Sequence, residues 1–324
     1  MSFQETEPSP KSPYPIYFAG GIGYNHDRNE GVLAHIQSLG YDTLPALPNP
    51  DSSQLDTGYT LISGGQTTHA TAAEARLSAH APEVELSISH YQLQRADALI
   101  TMLEAKGGQK TDAIFQSADT LMGVLAAHAR PDLFRNIILA YPILGEAPNM
   151  NDRGLVARTV AREAFVRLKP THIAGKRAHR FTGHNPKPRG SSGGTTAVYS
   201  VGYSKQSPLL HELRQQEDAP GVGLLLGLDD VMLSPERIFA SLQSGDVDAI
   251  TIVNTPHGMN GRKDVLDATL SLLGTTEQIS KKRQASPDEV PPLADRVQFA
   301  GNVSQLNKDR ILRLATAVDV RSAA

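Results

Sequence analysis

Residues 111–142 read TDAIFQSADTLMGVLAAHARPDLFRNIILAYP. The run Thr111–Gln116 is an apolar strand, and Ser117 stands where it must turn. Leu121, Val124 and Leu125 then fall on one face of a helix that Pro131 stops. Asn136–Ala140 (NIILA) is a second apolar strand. A serine at a strand-to-helix turn has its hydroxyl lifted clear of the sheet, at the positive end of the helix. That position suits a hydroxyl that attacks a carbonyl and leaves an oxyanion among backbone N–H groups.

The same alternation continues on both sides of this stretch. Pro15–Ala19 is a short strand ending in Gly20-Gly21-Ile22-Gly23, and Asn29–Leu39 has helical spacing with Gly40 as its stop. Tyr41–Leu47 reads as a strand and Tyr91–Ala105 as an amphipathic helix closed by Gly107-Gly108. Residues 51–89, rich in Ser, Thr, Gly and Ala, are expected to be an excursion with a short helix near Ala72–Ala79. The rhythm resumes after residue 219 with Val222–Leu226, the helix Pro235–Gln243, the strand Ala249–Val253 and the helix Asp264–Leu273. Strands alternating with helices predict an α/β fold, a mostly parallel sheet with helices on both faces.

The expected organisation is a loose arm over 1–14, a core formed by 15–144 and 220–273, an inserted cap at 145–219, and a linker with a C-terminal helix over 274–324. The cap holds a short polar helix near Pro208–Gln216. It also holds a basic stretch with Lys176, Arg177, Arg180, Lys187 and Arg189, read as a solvated loop or an attractor of anionic substrates.

Composition narrows the function. The net charge of −3 and aromatic content of 5% argue against nucleic acid as a partner. Cysteine is absent, so no disulfide, thiolate nucleophile or cysteine metal site exists. The N-terminal residues lack the apolar core of a secretory signal, and no stretch is apolar enough to span a membrane, so the expected location is the cytoplasm. The glycine loop at Gly20–Gly23 lacks the third glycine of a dinucleotide fingerprint. His172, His179 and His184 are not spaced as metal ligands with nearby carboxylates. Neither cofactor nor metal is expected. The sequence leaves the oligomeric state open.

Two later loops carry chemistry. Leu224–Pro235 (LLLGLDDVMLSP) is a strand ending in Asp229-Asp230, and Ile250–Gly258 (ITIVNTPHG) is a strand running into a loop with His257. Of the 11 histidines, His257 alone has this strand–loop–helix setting near the C-terminus. Ser117, Asp230 and His257 all lie just past strand ends, which in a parallel sheet gathers them on one edge.

In these three places, and in the order of elements over residues 15–273, the chain resembles the α/β-hydrolase family, on its serine esterase and lipase side. The resemblance implies Ser117 as nucleophile, His257 as general base and Asp230, or its neighbour Asp229, as the carboxylate that orients it. It implies an oxyanion hole from the N–H of Ala118 with a second donor near Gly21 or Ile22, and a small-molecule carboxylic ester as substrate. The turn departs from the family's Gly-x-Ser-x-Gly, because Phe115 and Asp119 stand at the glycine positions of Phe-Gln-Ser-Ala-Asp. Both side chains are expected to point outward or to open the turn. A second register makes Asp119 the nucleophile, as in dehalogenases and epoxide hydrolases, although the strand-to-Pro131 spacing favours Ser117. A non-catalytic binding protein on the same scaffold is the remaining alternative.

Overall fold

The computed structural model describes residues 13–20, 26–47, 59–63, 66–67, 86–144, 161, 165, 168–170, 173, 206–231, 233–258 and 262–323. Six parallel strands form the central sheet, β1 (Ile16–Ala19), β5 (Thr111–Gln116), β6 (Phe134–Ala140), β7 (Gly221–Gly227), β8 (Ala249–Val253) and β9 (Val297–Ala300), adjacent in that order. Thr43 adds a single parallel bridge on the outer side of β1, where the sequence predicts a full strand. A separate antiparallel sheet joins β2 (Tyr59–Ser63), β3 (Gln66–Thr67) and β4 (Leu86–Ser89), inside the segment expected to be an irregular excursion. The helix expected at 72–79 lies outside the described residues, as does the basic cap stretch.

Helices α1 (His26–Ser38), α2 (His90–Ala105), α3 (Asp119–Ala129), α4 (Gln206–Gln215), α5 (Pro235–Ser241), α6 (Lys263–Ala285) and α7 (Gln305–Ala323) flank the central sheet. The strands alternate sides, so each face of the sheet builds its own core. Ala113, Phe115, Leu224 and Leu226 face α2, α3, α4, α5 and α7 through Leu99, Leu125, Leu213, Ile238 and Ile311. Ile114, Ile138 and Leu225 face α1 and α6 through Ile36, Val265 and Leu272. Because both faces are covered, these strands read as near-continuous apolar runs.

Two boundaries differ from the sequence reading. The helix expected to end at Leu273 runs on to Ala285, and the presumed linker and extension are built into the core. Val297–Ala300 pairs with Ile250–Val253, extending the sheet. Asp319 of α7 accepts from the Leu293 amide at 2.9 Å and from the Ser244 hydroxyl at 2.6 Å. The strand β9 escaped notice because an edge strand that is only half buried lacks the apolar run of its neighbours. The helix α4, expected in the cap, packs its buried Leu209, Leu210 and Leu213 in the same core as α3. At the end of the expected arm, the Tyr14 ring lies 4.3 Å under the Arg135 guanidinium. Among the described residues no helix is long and apolar enough to cross a membrane.

Candidate active site

Ser117 follows β5 directly and has φ of 55°, a left-handed conformation that few non-glycine residues adopt. The turn is held on every side. The Ser117 amide donates to Ala140 O at 2.9 Å, the Thr120 hydroxyl donates to Ser117 O at 2.6 Å, and Gln92 Nε2 donates to Ala118 O at 3.2 Å. Strain of this kind persists only where the surroundings over-determine it. Helix α3 begins at Asp119, and among the described residues the Ala118 N–H has no acceptor.

The three separated loops meet here. The Ser117 hydroxyl lies 2.9 Å from His257 Nε2, and His257 Nδ1 lies 2.7 Å from Asp230 Oδ2. A carboxylate accepts only, so the imidazole carries its proton on Nδ1 and presents a bare Nε2 to the serine hydroxyl. Asp230 is itself fixed, for its Oδ1 accepts from the Leu233 amide at 2.9 Å. The neighbouring aspartates differ in direction. Asp229 turns to Lys169 Nζ at 2.9 Å, while Asp230 turns inward to the histidine.

A buried serine with positive φ thus stands on a strand-to-helix turn at the carboxyl edge of a parallel sheet, with Asp230 and His257 following in that chain order. The chain has the α/β-hydrolase fold. No protein-family model and no curated protein matches its sequence. Solved structures similar to this α/β-hydrolase fold include a monoacylglycerol lipase from Paleococcus ferrophilus, 14% identical over 81% of this chain and 95% of that one, with a TM-score of 0.47. They also include a putative non-heme bromoperoxidase, BpoC, from Mycobacterium tuberculosis (14% identical, 82% and 93% covered, TM-score 0.46). A naproxen esterase from Bacillus subtilis is 14% identical, with 83% and 82% covered and a TM-score of 0.41.

Of the two expectations for the atypical residues, pointing outward or opening the turn, the first does not hold; both are fully buried. Phe115 goes into the core between Tyr17 and Phe134, with ring centroids 5.8 and 6.5 Å away. The room comes from Gly123, one turn into α3, where a Cβ would lie 2.3 Å from the Phe115 ring. In effect the small residue has moved from the turn to the helix beside it. Gly123→Ala should therefore destabilise the fold by about 2 kcal/mol through overpacking, with part of the loss recovered in the Phe115→Leu background. Urea unfolding of the single and double variants checks this. Asp119 accepts a charge-assisted bond from Arg95 of α2. The second-register nucleophile is thus tied to a cation in the second layer, while both ring nitrogens of His257 serve Ser117 and Asp230.

Several supporting residues escaped the sequence reading. Tyr141, at the end of β6, also has positive φ, of 52°, and its ring meets the His257 ring near edge-on at 5.7 Å. Its hydroxyl pairs with Thr255 at 2.7 Å, which fixes the start of the histidine loop. Nothing in the sequence marks a tyrosine at a strand end. Gln92 and Arg95 were visible in principle, since they continue the buried spacing of Leu99 and Leu103 on α2. Two polar side chains on a buried stripe require a buried polar partner. Gly21 and Ile22, the expected second oxyanion donors, lie outside the described residues. Among the described residues no three His, Asp or Glu side chains converge as metal ligands.

Proposed function

We propose that this protein is a serine hydrolase acting on small carboxylic esters through an acyl-enzyme intermediate. The observation that carries the reading is the continuous hydrogen-bonded chain from Ser117 through His257 to Asp230. His257 Nε2 takes the hydroxyl proton as Ser117 Oγ bonds to the ester carbonyl carbon, and the carbonyl oxygen becomes an oxyanion. The Ala118 amide stabilises that oxyanion, with a second donor from the Gly21–Ile22 loop. Asp230 keeps the imidazolium oriented. His257 then gives its proton to the departing alkoxide, leaving an acyl-Ser117 ester and free alcohol. Water, deprotonated by the same Nε2, attacks the acyl carbon, and the proton returns to Ser117 as the acid leaves.

A fluorophosphonate applied to the folded protein, with peptide mapping by mass spectrometry, tests the assignment. The expected result is one adduct on Ser117 that disappears in His257→Ala. A folded, unlabelled protein would overturn it.

A further inference from the structure

We propose that Arg95 is a positioning residue whose guanidinium cancels the Asp119 charge beside the oxyanion site. The inference rests on the serine-hydrolase reading above. Asp119 is fully buried in the first turn of α3, next in sequence to the Ala118 amide that would hold the oxyanion. A carboxylate there tightens the helix terminus, yet it opposes negative charge developing on the substrate nearby. Arg95, itself 5% exposed, reaches across from α2 and bonds to Asp119 Oδ1. One turn earlier on the same helix, Gln92 holds Ala118 O. The two α2 side chains therefore hold the Ala118 carbonyl and the Asp119 carboxylate, just after the nucleophile.

The neighbouring Tyr17 brings no charge. Burial pushes the Tyr17 hydroxyl above the ordinary tyrosine range; Arg95 pulls it down and Asp119 pushes it further up. Arg95 and Asp119 are thus opposite charges in contact at the turn. His257 itself pairs with Asp230, and the neighbouring Asp229 pairs with Lys169.

A structural tie and a charge-cancelling tie predict different mutant patterns. Arg95→Gln removes a positive charge that touches the Asp119 carboxylate, so the maximal rate of Ser117 phosphonylation by a fluorophosphonate should fall roughly 30-fold with little change in apparent probe affinity. Asp119→Asn removes a negative charge and keeps the Arg95 cation, which attracts the oxyanion, so its rate should fall several-fold less than that of Arg95→Gln. Arg95→Lys keeps the charge, and the double variant Arg95→Gln/Asp119→Asn removes both charges; each should label within about threefold of the parent. Equal losses in the two single variants, or a parent-like rate in Arg95→Gln, overturns the inference. If Arg95→Gln does not fold, Arg95→Lys and the double variant decide alone, and a drop of more than about tenfold in either counts against charge cancellation. A parent protein that takes no label on Ser117 instead removes the serine-hydrolase reading, and is distinguishable from all of these.

Discussion

Ser117→Ala is expected to lower turnover of an activated ester such as p-nitrophenyl acetate by about 10⁴-fold or more, with thermal stability close to that of the parent. The loss is large because no other hydroxyl occupies the strained position past β5, and His257 Nε2 is directed at this one oxygen at 2.9 Å. His257→Ala should cost a comparable factor, since an unassisted hydroxyl is a weak nucleophile at neutral pH. Asp230→Asn should cost about 10³- to 10⁴-fold, because an amide that donates to Nδ1 favours the wrong imidazole tautomer. The three losses should not multiply when combined, as the residues act as one unit. Stability should barely move in Ser117→Ala, because the backbone strain at φ 55° is common to both residues. Retained turnover in Ser117→Ala with a dead Asp119→Asn would instead identify Asp119 as the nucleophile. The geometry weighs against that outcome, for the Asp119 carboxylate is engaged by Arg95.

The contrast between Ser117 and Phe115 shows what the sequence could and could not convey. A strand, a serine, a helix of the right phase and a proline are local features, written in consecutive residues, and the turn follows from them. The order Ser, Asp, His, each past the end of a strand, is equally readable, and the parallel sheet brings the three together. The fit of Phe115 is a different kind of fact. It depends on an absent side chain at Gly123, and a glycine inside a helix does not announce which neighbour needs its space. The Arg95–Asp119 pair spans two helices and 24 positions, so no local pattern links its partners. The misplaced linker has a similar cause. Residues 274–285 are polar because α6 buries fewer side chains there, such as Thr276 and Ser280, yet the helix continues over β7. Its close approach is permitted by Gly223, where a Cβ would meet Thr276 Oγ1 at 2.5 Å.

The largest stability effect is expected at Asp248, on the edge of the sheet opposite the site. Its carboxylate accepts from Arg214 Nη2 at 2.8 Å, from Arg283 Nε at 3.1 Å and from the Val222 amide at 2.8 Å. It thereby joins α4, α6 and the start of β7 to the residue just before β8. Burial holds the Arg214 guanidinium below the usual arginine range, and Asp248 opposes that effect. Removing the carboxylate in Asp248→Ala leaves a buried cation without its main partner and a buried amide without its acceptor, a loss of about 3–5 kcal/mol. Asp248→Asn keeps an acceptor for the Val222 amide and should cost distinctly less. Urea unfolding measures both, and a loss below about 1 kcal/mol in Asp248→Ala would mean that the arginines find other acceptors. Ester turnover per folded molecule should stay at the parent value, because Asp248 touches none of the reacting groups. Such a split, a strong stability loss with undiminished chemistry, would separate the end of the sheet that holds the fold together from the end proposed to carry the reaction.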